Sequence, residues 1–299
     1  MRKLAVLLAL LLALVAAGCG GDDDDEQEAA PPDQVATGGG GDTCAKGSLP
    51  LVETGMLTIG TDNPAYPPWF GGAEKAPWKI SDPASGEGFE SAVAYAVAGQ
   101  LGFSKAEVEW KVVPFNLSFK PGPKDFDFDI NQISYSDARA KAVDFSDSYY
   151  DVNQALVSVK GSSIASAKSI ADLKDAKLGV QVGTTSYQYI VDNIDPSQDP
   201  SVYDTNNDVI SALKAKQIDG IVVDLPTAFY VVAAELDDGT IVGQFPAVGE
   251  QERFGMVFEK NSGLVPCVNE ALQTLKDEGT LAEIQQEWLS DKASAPVLE

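Results

Sequence analysis

Short apolar runs alternate with apolar residues at helical spacing along most of the chain after residue 50. Runs of four to eight such residues predict strands, and a stripe repeating every three to four residues predicts a helix. The predicted strands are 56–60, 108–113, 126–133, 155–159, 177–182, 201–203, 220–223 and 254–258. The predicted helices are 89–101, 187–191, 208–215, 266–279 and 280–288. Because strands and helices alternate, the pattern predicts an α/β fold with largely parallel sheets.

The order of these elements also predicts two lobes. The two C-terminal helices need a sheet to cover, and the first set of strands is the one that lacks helices. We therefore expect the chain to cross twice, near 155–160 and 241–246. One lobe would contain 44–157 plus 245–299, and the other 158–244. Two crossings form a hinge, and a hinge between two α/β lobes forms a cleft.

The N-terminus has the features of a targeting segment. Arg2 and Lys3 precede an apolar run at 4–17, which is shorter than the roughly 20 residues of a membrane-spanning helix. This pattern predicts a signal peptide at 1–18. The residues that follow, 19–43, are acidic and rich in glycine, which predicts a disordered spacer.

Composition excludes several functions. The net charge is −24 and no block of lysine and arginine is present, so nucleic-acid binding is not expected. The chain has no histidine, which is the commonest general base and metal ligand. We predict no catalytic residue, no metal site and no cofactor.

Two cysteines lie in the predicted folded part, Cys44 and Cys267. Outside the cytoplasm, a pair of cysteines favours one disulfide. The alternative is two unrelated buried thiols.

One cation, Arg139, lies among hydroxyls and carboxylates directly after the alternating run at 126–134. A guanidinium offers a two-pronged donor that matches a carboxylate, so Arg139 is a candidate for holding the carboxylate of a small zwitterion. The alternative is that Arg139 caps a helix or pairs with Asp144 or Asp147.

An ordered series of motifs resembles the extracellular solute-binding proteins (family 3) of polar amino-acid ABC importers over roughly 55–290. The matching pieces are Gly60-Thr61-Asp62, Tyr66-Pro67-Pro68-Trp69, Gly88-Phe89-Glu90 and the segments 134–147, 179–186, 212–224 and 275–288. Small residues before Cys19 also resemble a lipobox. That likeness implies lipid on Cys19 and a tether on the outer face of the cytoplasmic membrane. The alternative is an ordinary signal peptide with an incidental cysteine.

The resemblance implies a two-lobed α/β fold of the periplasmic-binding-protein-like type II, with a hinge of two crossovers and a cleft between the lobes. It also implies a role for each of several residues. Arg139 would hold the ligand's α-carboxylate, and Asp224 its amino group. The alternative for Asp224 is a helix cap. Backbone N–H groups at Thr184 and Thr185 would share the carboxylate.

Further contacts follow from the same resemblance. Gln132 and Ser134 would hydrogen-bond the ligand, and Asp62 would contact its side chain or amine. The expected aromatic walls are Tyr66, Phe115 and Trp69.

The expected function is that of a monomeric, extracytoplasmic binding protein. It would close over a free, polar amino acid and deliver it to ABC permease subunits in the membrane. An enzyme resembling cyclohexadienyl or arogenate dehydratase is the alternative on the same fold. It needs a buried acid, and no isolated cleft acid stands out in the sequence. A sensor domain fused to a kinase or channel would need membrane helices.

Overall fold

The computed structural model describes residues 43–289 and 295–299. The predicted signal peptide, Cys19 and the spacer up to residue 42 lie outside the described residues. Within the described ranges, no helix is long and apolar enough to cross a membrane.

The elements follow one another in the predicted rhythm. The strands are β1 Leu57–Thr61, β2 Val108–Val112, β3 Phe128–Asp129, β4 Asp144–Phe145, β5 Tyr150–Asp151, β6 Gln154–Val159, β7 Leu178–Gln181, β8 Ser201–Tyr203, β9 Gly220–Asp224, β10 Gly239–Gln244, β11 Arg253–Phe254 and β12 Val257–Phe258. The helices are α1 Phe89–Gln100, α2 Phe115–Ser118, α3 Asp137–Ala140, α4 Thr185–Tyr189, α5 Asn206–Lys214, α6 Leu225–Tyr230, α7 Val265–Asp277 and α8 Thr280–Leu289. Two of them continue as π turns, α4 over Ile190–Ile194 and α6 over Val231–Glu235.

Two five-stranded sheets organise the chain into two lobes. The first sheet has the order β2-β1-β3-β12-β4, and the second has the order β10-β6-β9-β7-β8. Helices α1, α7 and α8 pack together on the first sheet around a core that includes Phe89, Phe128 and Phe258. The two-lobed α/β fold predicted from the sequence is confirmed.

The sheets are mixed, whereas the sequence predicts largely parallel ones. β1 pairs in parallel with β2 and β3, and β7 pairs in parallel with β8 and β9. β12 and β6 run antiparallel to both of their neighbours. These two strands follow the crossings, so they enter each sheet from the hinge side and run against its βα units.

The first crossing lies earlier in the chain than predicted, and the second lies later. All of β6 belongs to the second sheet, so the chain changes lobe before Gln154 and not at 157/158. The return segment after β10 leads into β11, which pairs with β5 in a separate two-stranded sheet. We name the segments 146–153 and 245–252 the hinge segments.

Residues 295–299 contact the second lobe, although the sequence assigns them to the first. The Gln244 amide donates to Pro296 O at 2.7 Å, and the Leu298 amide donates to Gln244 O at 2.9 Å. Leu298 is buried in the cluster that contains Leu156 and Phe245. Burial of one leucine and pairing along β10 explain this return.

A disulfide joins Cys44 to Cys267, with an S–S distance of 2.06 Å and Cα atoms 5.3 Å apart. Cys267 lies in α7, so the bond fixes the start of the described chain to a late helix of the first lobe. This is the pairing that the sequence favours over two separate thiols.

Candidate functional site

A cavity lies between the two lobes, with an empty volume of about 640 Å³ including its opening to solvent. It is bordered by the carboxyl ends of strands from both sheets, where ligands bind in open α/β folds. Predicted site residues in its lining are Asp62, Tyr66, Phe115, Gln132, Thr184, Thr185 and Asp224. The other three, Arg139, Ser134 and Trp69, are adjacent to the lining and do not form part of it.

Asp224 ends β9 and precedes α6. Its side chain makes no capping bond to that helix, which argues against the helix-cap interpretation. Instead, Gln154 Nε2 donates to Asp224 Oδ1 at 2.7 Å. Burial raises the pKa of the Asp224 carboxyl well above its ordinary value, and the neighbouring Glu252 charge raises it further. A cation bound beside Asp224 would offset this cost and favour the ionised carboxylate.

Arg139 reaches across the cleft from α3. Its Nη1 donates to Ser134 O in the first lobe at 2.6 Å, and its Nη2 donates to Gly183 O in the second at 2.7 Å. The guanidinium carbon lies 4.4 Å from the ring centroid of Phe119 and 5.7 Å from that of Phe115. Two carbonyls and two aromatic faces therefore fix the cation at the junction of the lobes.

The sequence suggests Asp144 and Asp147 as alternative partners of Arg139. Asp144 forms an ion pair with Lys260 at 2.6 Å and accepts the Asn261 amide hydrogen. The Asp147 backbone amide donates to Asn269 Oδ1, and neither acid forms an ion pair with Arg139 among the described residues. Burial lowers the pKa of Arg139 to about 10, so the guanidinium remains charged at neutral pH.

The turn before α4 forms part of the second-lobe side of the cavity. Gly183 has φ +77°, a left-handed conformation that favours glycine, and Thr184 follows as the N-cap of α4. The Tyr187 amide donates to Thr184 Oγ1 at 3.3 Å, and that hydroxyl donates to Gln181 O at 2.9 Å. The Thr184 side chain is thus used to build the turn.

Asp62, Tyr66 and Phe115 line the first-lobe side. The Asn63 amide donates to Asp62 Oδ1 at 2.7 Å, yet burial still raises the pKa of Asp62. Burial also raises the pKa of the Tyr66 hydroxyl, helped by the Asp62 charge. This side combines an acidic group with aromatic surfaces.

Gln132 is held in place by a buried acid that the sequence analysis did not select. Its backbone amide donates to Glu90 Oε1 at 2.6 Å, and its side-chain amide donates to Glu90 Oε2. Tyr149 Oη also donates to Glu90 Oε1, at 2.5 Å. Glu90 is 0% exposed, and burial raises its pKa to about 7.

Trp69 belongs to the core and not to the cavity surface. It is 0% exposed, and its ring packs edge-on against Phe89, Tyr150 and Phe254. Its Nε1 donates to Thr227 Oγ1 of the second lobe at 2.8 Å. Trp69 therefore links the lobes.

Ser134 is also buried, and its hydroxyl donates to Glu252 Oε1 at 2.6 Å. Glu252 lies in a hinge segment, and the sequence analysis did not select it either. Nothing in its local sequence indicates the role, because its partners lie far away in the chain. No group of three or more metal-binding side chains is present in the part of the chain that the structure describes.

Comparisons with known proteins agree with this geometry. Residues 57–291 match the family described as bacterial extracellular solute-binding proteins, family 3. The L-cystine-binding protein TcyJ of Escherichia coli (strain K12) is 29% identical over 79% of this chain and 83% of its own length. The ABC transporter glutamine-binding protein GlnH of Bacillus subtilis (strain 168) is 27% identical over 71% of this chain and 77% of its own length.

A solved structure is similar over nearly its whole length. An ancestral arginine-binding protein bound to glutamine is 30% identical, with a TM-score of 0.64, over 79% of this chain and 98% of that chain. The family match covers both sheets and the cavity between them. This chain therefore belongs to the bacterial extracellular solute-binding proteins, family 3.

Proposed function

We propose that this protein is the extracytoplasmic binding component of an ABC importer and that it holds one free, polar amino acid in the cleft. One observation carries the proposal above the others. Asp224 presents a carboxylate to the cavity, and no basic side chain is bonded to it among residues 43–289 and 295–299. A ligand ammonium group would supply the missing positive charge through a charge-assisted hydrogen bond.

The carboxylate end of the ligand has a matching partner in Arg139. Two of the five N–H donors of the guanidinium are used on carbonyl oxygens, which leaves donors for a carboxylate. Backbone N–H groups at the start of α4 would add to this attraction. Because Arg139 contacts both lobes, a ligand bound there would favour the closed form.

The side-chain end of the cavity supports a polar ligand. Asp62 and Asn131 both line it, and Asn131 Nδ2 is buried without a hydrogen-bond partner. An apolar side chain would leave the Asn131 amide nitrogen unsatisfied at a cost of about 1–3 kcal/mol. The names of the relatives include cystine, glutamine and arginine, which all have polar side chains.

The location and the partners complete the proposal. A signal peptide at 1–18 would direct export, lipid on Cys19 would tether the chain to the outer face of the membrane, and 19–43 would act as the spacer. The monomer would close by motion at the two hinge segments and then dock on the permease subunits. Mass spectrometry of the mature N-terminus tests the tether, because an unmodified Cys19 would exclude it.

Titration calorimetry with free L-amino acids tests the binding function. We expect at least one polar amino acid to bind and its N-acetyl derivative to bind far more weakly, because acetylation removes the charge that Asp224 attracts. Prephenate and arogenate serve as the controls for the enzyme alternative. Formation of product from either one, or no binding of any amino acid, would refute the proposal.

A further inference from the structure

Two polar residues stand behind one side of the cavity. That side, which we name the acceptor wall, consists of Thr185, Ser186 and Asp224, all of which line the cavity. Gln154 and Glu252 lie behind it and do not line the cavity. Gln154 is only 3% exposed, and Glu252 comes from the second hinge segment.

The orientation of the Gln154 amide is fixed by its neighbours. Its Nε2 donates to Asp224 Oδ1 at 2.7 Å and to Glu252 Oε2 at 3.0 Å. A bound ammonium favours the ionised form of Asp224, and an ionised carboxylate only accepts hydrogen bonds. The NH₂ group must then face the two acids, and the amide oxygen must face the other way. Ser186 Oγ meets that oxygen at 2.6 Å and has to donate to it. The single hydroxyl proton of Ser186 is thereby committed away from the cavity.

Glu252 fixes a second hydroxyl in the same manner. Its Oε1 lies 2.5 Å from Thr185 Oγ1 and 2.6 Å from Ser134 Oγ. Both hydroxyls must donate, because the carboxylate has no proton to give. The hydroxyl oxygen of Thr185 therefore has only its lone pairs left for a ligand.

We propose that Glu252 is a positioning residue for the ligand's ammonium group. This inference rests on the proposed function and names the group that gives the site its selectivity for amines. Glu252 directly accepts the hydroxyl proton of Thr185. By fixing the orientation of the Gln154 amide, it also makes the Ser186 hydroxyl donate away from the cavity. The side chains of the acceptor wall then offer only acceptors, which match the three N–H donors of an ammonium.

The same arrangement disfavours ligands without an amine. The α-hydroxyl of a hydroxy acid has one proton to donate and carries no charge, so two of the three acceptors would stay unpaired in the closed cleft. Glu252 also adds negative charge close to Asp224, since the NH₂ group of Gln154 donates to both carboxylates. A single ammonium bound at the wall offsets the repulsion between the two acids.

Glu252→Gln tests the inference, because an amide at this position can donate as well as accept and carries no charge. The probes are L-glutamine, L-arginine and L-cystine, with the α-hydroxy acid of whichever binds most tightly. The readout is the ratio of the Kd of the hydroxy acid to that of the amino acid. We expect this ratio to fall about tenfold in Glu252→Gln, the effect of losing one hydrogen bond to a charged group.

Two further variants keep the test decisive. Glu250→Gln removes an acid from the same hinge segment whose carboxylate is 91% exposed, and it should leave the ratio unchanged. Thr185→Val deletes one acceptor, together with its hydrogen bond to Glu252, and leaves the hinge residue itself in place, so it should lower the ratio even if Glu252→Gln fails to fold.

The outcomes distinguish a failure of the role proposed for Glu252 from a failure of the proposed binding function. An unchanged ratio in Glu252→Gln and Thr185→Val, with the wild type still binding the amino acid, would overturn the role of Glu252 alone. Tighter binding of the amino acid by Glu252→Gln would also overturn it, because Glu252 would then compete with the ligand. If the wild type binds none of the three amino acids, the proposed function is refuted and this inference with it.

Discussion

The buried acid Glu90 makes the stability of this protein depend on pH in a defined direction. Burial raises the pKa of Glu90 to about 7 from 4.5, and hydrogen bonds from Tyr149 and Gln132 offset only part of the effect. Between these two pH values, the folded protein retains a proton that the unfolded chain has lost. The free energy of unfolding therefore falls as pH rises through this window.

The size of the effect follows from the shift. One pKa unit corresponds to about 1.4 kcal/mol, so the shift of Glu90 lowers the free energy of unfolding by about 3 kcal/mol across the window. Urea unfolding followed by tryptophan fluorescence from pH 5 to pH 8 measures this change. Glu90→Gln cannot titrate, so the difference in free energy of unfolding between wild type and variant should shrink by roughly this amount as pH rises.

Other buried acids also make the free energy of unfolding fall as pH rises. The comparison with Glu90→Gln isolates the contribution of Glu90 from theirs. Asp129 and Asp224 also have raised pKa values, but both remain in the variant. Glu87→Gln, at an exposed position close in sequence, is the matched control and should follow the wild type at every pH. A difference between wild type and Glu90→Gln that does not change with pH would refute the reasoning.

Three further predictions concern the links within the fold and the site. Replacing Cys44 and Cys267 with serine should lower the free energy of unfolding in urea by roughly 2–5 kcal/mol, because the disulfide spans 223 positions; an unchanged midpoint would contradict this. A double-mutant cycle of Trp69→Phe and Thr227→Val should give a coupling of about 1 kcal/mol for their hydrogen bond, and strict additivity would count against it. Arg139→Lys keeps the charge but loses the planar fork, so the Kd should rise about tenfold or more at an unchanged melting temperature; an unchanged Kd would exclude a specific role for the guanidinium.

Local periodicity predicted most helices and strands of this fold. The apolar stripe after Gly88 predicts α1, and the threonine before α4 predicts its start, because the signals for both lie within a few residues. Strand direction is different, since periodicity is the same for parallel and antiparallel strands. The antiparallel pairing of β6 and β12 was therefore not predictable from the pattern.

The last residues of the chain show a second limit. The segment 295–299 contains too few apolar residues to display any period, yet Leu298 fills a place in the second lobe. Its position depends on the shape of a core built by distant segments. Trp69 is similar, because an aromatic residue in a loop fits a core or a cavity surface equally well until its neighbours are known.

The candidate site residues also differ in whether the sequence alone could identify them. Asp224 was predictable because a carboxylate at the end of an apolar strand faces the crevice of an α/β fold. Glu252 was not, because its three donors lie 67, 98 and 118 positions away in the chain. Residues that position other residues leave no pattern in the local sequence.

The Kd of the bound amino acid in Asp224→Asn tests the central claim most directly. Asparagine keeps the shape of the side chain and removes the charge that would hold the ammonium, so we expect binding at least about a hundredfold weaker than in the wild type. Asp237→Asn, on an exposed loop of the same lobe, should bind as the wild type does. An Asp224→Asn protein that binds the amino acid with wild-type affinity would contradict the account.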